Sequence, residues 1–110
     1  MVRRIIWSQK ALGDLREIHD VIAKDSKRYA EAQVKRIQDT AERTRRFPKI
    51  GQIVPELPNE GWRELLSGSY RVIYRYDPAD DEIRVLAIVH QRRLMKRSLV
   101  VSAGSSTEKQ

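Results

Sequence analysis

The sequence predicts an α+β fold: an N-terminal strand, then an antiparallel helical hairpin packed on an antiparallel sheet of about four strands. Three observations carry that expectation. Two consecutive segments, residues 8–23 and 26–46, repeat apolar residues at helical spacing. Residues 62–90 hold three β-branched and aromatic runs separated by the turn-formers Ser67-Gly68 and Asp77-Pro78-Ala79-Asp80-Asp81. The helices come as one block and the strands as another, which suits helices on one face of an antiparallel sheet.

Arg3 to Trp7 is short, β-branched and partly alternating, and it reads as a strand that leads directly into a helix. Ser8 is positioned to cap that helix. Ala11, Leu15, Ile18 and Ile22 then form one stripe, which Leu12 and Val21 widen. The polar break Lys24-Asp25-Ser26-Lys27 ends the helix, and Ser26 can cap the next. Ala30, Val34, Ile37 and Ala41 repeat the stripe with small residues, which lets two antiparallel helices approach closely. Arg43, Arg45 and Arg46 crowd the last turn, where cations complement the helix dipole, and Phe47-Pro48 stops the helix.

Residues 49–61 read as a loop, with Val54 to Leu57 as a short edge strand, because Pro55 lacks the N–H that a central strand needs. Trp62–Leu66, Tyr70–Tyr76 and Ile83–His90 follow as strands. In the second of these, Tyr70, Val72, Tyr74 and Tyr76 share one face, and Arg71, Ile73 and Arg75 the other. The consecutive Leu86-Ala87-Ile88-Val89 suits a strand near the centre of the sheet, covered on both faces.

A chain of 110 residues is the length of one domain, expected over residues 1–95. Residues 96–110 read as a basic and then polar tail, partly disordered, with Ser102–Gln110 its small and polar part. Lysine and arginine outnumber acids 22 to 15, a net charge of +7 that attracts polyanions or acidic partners. The absence of cysteine excludes disulfides and thiolate chemistry. The sequence contains no apolar run of signal-peptide or membrane-span length, so a cytoplasmic protein without membrane partners is expected. No glycine-rich phosphate loop occurs, and His19 has no second ligand at metal-binding spacing, so neither cofactor nor metal is expected.

The residues able to carry chemistry cluster late in the chain. Arg63 and Glu64 lie on one strand, Arg71 and Arg75 on the next, and His90, Arg92 and Arg93 at the end of the last. Antiparallel pairing can gather Arg63, Arg71 and that strand end. Guanidinium groups bind phosphate oxygens in a bidentate fork and stabilise developing charge, while His90, Glu56 or Glu64 can move the proton of a ribose hydroxyl. On this reading the residues that could act on RNA are Arg71, His90, Arg63, Arg92 and one carboxylate, Glu56 or Glu64, with Arg75 and Arg93 adding to nucleic-acid binding. The plainer reading of the same residues is a set of cross-strand ion pairs, with Glu56 or Glu82 as the acids, on a half-buried tyrosine sheet.

Five short patterns, taken in order, carry a resemblance. They are W-S-x-x-A-x-x-D-L in residues 7–15, G-x-x-V-P-E in 51–56, R-E-L in 63–65, S-Y-R-V-I-Y in 69–74 and V-H-Q-R-R in 89–93. Together the sequence resembles the RelE/ParE toxin superfamily over residues 2–95. The resemblance implies a RelE/ParE-like fold and the toxin half of a type II toxin–antitoxin module, of the kind tied to growth inhibition and plasmid stabilisation. It implies as partner a cognate acidic antitoxin carrying a DNA-binding domain, with operator DNA reached only through it. RelE-like members cut mRNA in the ribosomal A site, and ParE-like members poison DNA gyrase. Arg71 matches the RelE-type arginine at the scissile phosphate, Arg92 or Arg93 falls near a second one, and Arg63 lies at a basic position. Glu56 resembles a carboxylate, and His90 a histidine, used by some relatives. The chain departs from RelE proper after Arg93, where Leu94-Met95-Lys96-Arg97-Ser98 lacks a tyrosine, and beside Arg63, where no second lysine follows. The reading adopted from the sequence is a ribosome-dependent, metal-independent mRNA interferase. Its alternative is a gyrase inhibitor without catalytic activity of its own.

Overall fold

The computed structural model describes residues 3–100, and the tail expected over Ser102–Gln110 lies outside them. The chain runs β1 (Arg4–Trp7), α1 (Gln9–Ala23), α2 (Lys27–Arg46), β2 (Gln52–Ile53), β3 (Arg63–Ser67), β4 (Tyr70–Asp77) and β5 (Glu82–His90), followed by a single 3-10 turn at Arg97–Leu99. The strands form one sheet in the order β1-β5-β4-β3-β2. β2 to β5 are joined antiparallel as expected, whereas β1 pairs parallel with β5. A strand at the far end of the sequence can close this edge because the α1–α2 hairpin supplies the crossover that a parallel neighbour needs.

Both helix starts are capped as the sequence predicts. The Ser8 hydroxyl accepts from the Ala11 N–H at 3.0 Å, and the Ser26 hydroxyl from the Tyr29 N–H at 3.1 Å. Ser8 also donates to the Leu86 carbonyl, and Asp14 accepts the Ile88 N–H at 3.0 Å, so α1 occupies the β5 edge beyond the end of β1. The W-S-x-x-A-x-x-D-L pattern is thus a helix-to-strand fastening, with Ala11 fully buried between the two elements. The stripe on α1 is narrower than expected, since Leu12 and Val21 are 50% and 58% exposed. On α2 Ala30, Ile37 and Ala41 are buried and Val34 is partly buried, and Thr40 and Thr44 extend the stripe because their hydroxyls donate back to the Arg36 and Ala41 carbonyls.

Two apolar clusters sandwich the sheet. Ala11, Leu15, Ile37 and Ala41 of the helices pack on Val72, Val85 and Ile88. On the opposite face Val54, Trp62, Ile73, Ala87, Val89 and Met95 form a second cluster, covered in part by Leu99 and Val100. Packing therefore continues past residue 95. β5 serves both clusters by alternation, and a bulge shifts its phase: Ile73 pairs with Ala87 and Tyr74 with Val85, which leaves Leu86 without a partner across the ladder.

The edge strand is displaced from its expected position. Gln52–Ile53 pairs with Glu64 and Arg63, while Val54–Leu57 turns, the Leu57 N–H donating to the Val54 carbonyl at 3.1 Å. Pro55 has no N–H for a ladder, and Val54 is already bonded to Trp62. This turn carries Glu56 to the outer face.

Candidate functional site

β4 alternation points Arg71 away from the helices, towards the cluster formed by Ile73, Val89 and Met95. It is 6% exposed. Its Nη1 donates to Glu56 Oε1 at 3.1 Å and to Glu64 Oε1 at 2.9 Å. Its Nη2 donates to Glu56 Oε2 at 2.9 Å and to the Arg93 carbonyl at 2.9 Å. A guanidinium has five N–H donors, and these bonds engage the four on its terminal nitrogens. Only Nε–H is left without a protein partner among the described residues, and it is buried.

The two carboxylates are held in turn. Glu64 is 5% exposed and also accepts from Gln52 Nε2 at 2.7 Å. Glu56 accepts the Met95 N–H at 3.0 Å. The Arg71 hydrogen bonds hold the Glu56 carboxyl down at about 2, with burial opposing and the Met95 N–H helping. The site is therefore a buried cation matched by two acidic side chains. It also fastens the chain after β5 to the sheet, because Arg93 and Met95 each give it a backbone group.

The remaining candidates do not converge on Arg71. Arg63 lies on the opposite face of β3 from Glu64, and its Nη1 donates to the Gly51 carbonyl at 2.7 Å. Tyr74 is fully buried beside it, donating to the Pro48 carbonyl at 2.8 Å and accepting the Gly51 N–H at 2.9 Å. Gly51 has no room for a side chain: a Cβ there would stand 2.5 Å from the Glu64 carbonyl and 2.8 Å from the Tyr74 hydroxyl. His90 is exposed, its ring set edge-on to Tyr70 at 5.6 Å, and Nδ1 accepts the Arg92 N–H at 3.1 Å. Arg92 and Arg93 are exposed. Arg75 stands opposite Arg84, which is paired with Glu82 at 2.8 Å.

One cluster of acids is not visible in the sequence as a group. Asp77, Asp80 and Glu82 approach one another at the β4–β5 turn. Two of the three are already engaged within the fold. Asp77 accepts the Ala79 and Asp80 N–H groups, while Glu82, 2% exposed, is neutralised by Arg4 and Arg84.

The sequence matches the family model described as the ParE toxin of the type II toxin–antitoxin system parDE over residues 5–95. The chain belongs to that toxin family. No curated protein matches the sequence significantly. Among solved structures, the chromosomal ParDE toxin–antitoxin system from P. aeruginosa aligns at 24% identity with a TM-score of 0.67, over 80% of this chain and 95% of that one. A chain of the toxin–antitoxin complex RelBE2 from Mycobacterium tuberculosis aligns at 22% identity with a TM-score of 0.59, over 82% of this chain and 99% of that one. Both similarities show the RelE/ParE fold.

Family membership gives the sequence patterns a physical content in this ParE-family chain. G-x-x-V-P-E supplies Gly51, Val54 and Glu56; R-E-L supplies Arg63 and Glu64; S-Y-R-V-I-Y supplies Arg71, Ile73 and Tyr74. These residues form two groups on opposite faces of β3 and β4: Gly51, Arg63 and Tyr74 are joined by hydrogen bonds on one, and Glu56, Glu64 and Arg71 on the other, beside Val54 and Ile73. Pairing of Arg71 with Glu56 belongs to the plainer reading of the sequence. Glu64 as the second acid does not, because that requires the β3–β4 register.

Proposed function

We propose that this toxin of a type II module acts as a ParE-like poison that binds DNA gyrase, with no ribonuclease chemistry of its own. The observation that carries this reading is the closed Arg71. An arginine that grips a scissile phosphate must present its donors to the ligand, and here all four terminal donors are engaged by Glu56, Glu64 and the Arg93 carbonyl. Admitting an RNA phosphate would leave two carboxylates facing a third anion, at a cost of several kcal/mol. His90 lies outside this cluster and is exposed, with its Nδ1 accepting the Arg92 N–H, so it adds no proton relay to Arg71. The match to the ParE family model supports the same preference. The proposal puts the alternative target of the sequence reading first.

The antitoxin partner follows from the family and from charge. A chain with a net charge of +7 calls for an acidic partner, and both neighbouring structures are of toxin–antitoxin systems. The decisive experiment adds purified toxin to a gyrase supercoiling assay and, separately, to a translating extract. The expected result is inhibited supercoiling or trapped cleavage complexes, with mRNA intact. Normal supercoiling with excess toxin, accompanied by mRNA cuts in the ribosomal A site that disappear in Arg71→Ala, would restore the ribonuclease reading.

A further inference from the structure

The apolar surface at the end of α2 belongs to neither core cluster. Arg46, Phe47, Pro48, Lys49, Ile50 and Tyr76 line an open cleft of about 680 Å3. Phe47 is 58% exposed and Ile50 is 39% exposed, although the chain around them is firmly built. The Ile50 N–H donates to the Phe47 carbonyl at 3.0 Å, and Pro48 is anchored by Tyr74. One wall is fixed as well: the Tyr76 hydroxyl donates to Asp81 at 2.8 Å and Arg3 lies over its ring. A preformed apolar cleft with exposed aromatic and branched side chains is the kind of surface that a partner covers.

The charges around it identify the partner's chemistry. No carboxylate is among the six lining residues. Arg46, whose guanidinium stands 6.0 Å from the Phe47 ring centroid, and Lys49 make no ion pair among the described residues. Arg45 and Arg3, by contrast, are already matched by Glu42 and Asp81. The cleft therefore pairs an uncharged floor with free cations at its rim. Nucleic acid suits the rim but not the floor, which offers base edges almost nothing to hydrogen-bond. A peptide that seats one or two bulky apolar side chains and carries glutamates or aspartates beside them suits both.

We propose that this cleft is an anchoring site for an acidic segment of the cognate antitoxin, which inserts an apolar side chain between Phe47, Ile50 and Tyr76 while its carboxylates meet Arg46 and Lys49. The proposal rests on the toxin–antitoxin reading and is independent of whether the toxin's target is gyrase. The lining residues do not include Arg71, so antitoxin binding here needs no opening of the buried ion network.

The test places the photo-crosslinking residue p-benzoylphenylalanine at position 50 of the full chain, expressed from its own operon. The crosslinked species is identified by mass spectrometry. The expected product joins the toxin to the protein encoded by the adjoining reading frame, through its acidic region, and Lys49→Glu combined with Arg46→Glu lowers affinity for that protein at least tenfold. Crosslinks to gyrase, to DNA or to nothing, or unchanged affinity in the charge-reversed variant, overturn the proposal. Growth arrest by the unaltered toxin without its antitoxin is scored in parallel. Its absence counts against the toxin reading itself and leaves the crosslink result to judge the cleft.

Discussion

Burying Arg71 removes its hydration, and two carboxylates and a carbonyl replace it; loss of one member therefore strands the others. Arg71→Ala leaves Glu56 and Glu64 as neighbouring acids against an apolar cluster, a defect of about 3–5 kcal/mol. Urea denaturation should register it as a lowered midpoint. Arg71→Lys should recover only part of the loss, because an ammonium cannot reproduce the two parallel bonds to Glu56. Full stability in Arg71→Ala would mean that the arginine is free to serve a ligand, contrary to the closed geometry. The same network sets an acid limit. Glu56 titrates at about 2 in the folded chain and near 4.5 as an ordinary glutamate. A depressed carboxylate contributes stability that is fully present above 4.5 and is lost as pH falls towards 2. The contribution is on the order of 2 kcal/mol after allowing for solvent screening of a partly exposed group. Stability curves between pH 6 and pH 2.5 (two conditions spanning about that window) should show the fall in the unaltered protein and a flatter profile in Glu56→Gln.

At the level of elements, the helices and the β3–β4–β5 meander are readable in the sequence because each encodes itself locally. Ser8 and Ser26 cap, Pro48 stops, and Gly68, at φ 60°, makes the two-residue turn between β3 and β4. What lies beyond the sequence is pairing between distant segments. Nothing in Arg4–Trp7 specifies that it lies parallel to β5, and nothing near Leu86 signals the bulge. The edge strand forms two residues earlier than the sequence suggests because its position depends on Tyr74, twenty-three positions away from Gly51. That dependence makes a prediction for the β2 region. Tyr74→Phe removes the acceptor for the Gly51 N–H and frees the Pro48 carbonyl, both buried or partly so, at a cost of about 1–3 kcal/mol. Hydrogen exchange should then quicken at Gly51 and along β2 more than in β4 and β5. Equal acceleration across the whole sheet would show that Tyr74 acts only through global stability.

Across the whole molecule, the sheet separates a helix-covered face from one covered by the Val54–Trp62 loop and the chain after β5. The second cover is why Arg71 reads as a site in sequence and as an interior residue in space. A strand that alternates arginine with isoleucine looks solvent-facing on one side until the segment carrying Met95, 2% exposed, is folded across it. What remains on the surface is an excess of cations, many of them on α2, the loop after it and the chain after β5. Long-range attraction from such a surface speeds encounter with an acidic partner more than it tightens the final complex. Stopped-flow association with the antitoxin should therefore slow on the order of tenfold between dilute buffer and roughly 0.5 M salt, where the Debye length has shrunk to a few ångströms. Dissociation should change far less, because the apolar anchor at Phe47, Ile50 and Tyr76 is not screened. If salt acted equally on both rates, the contacts in the bound state would be mainly ionic, and the apolar floor of the cleft would contribute little to holding the partner.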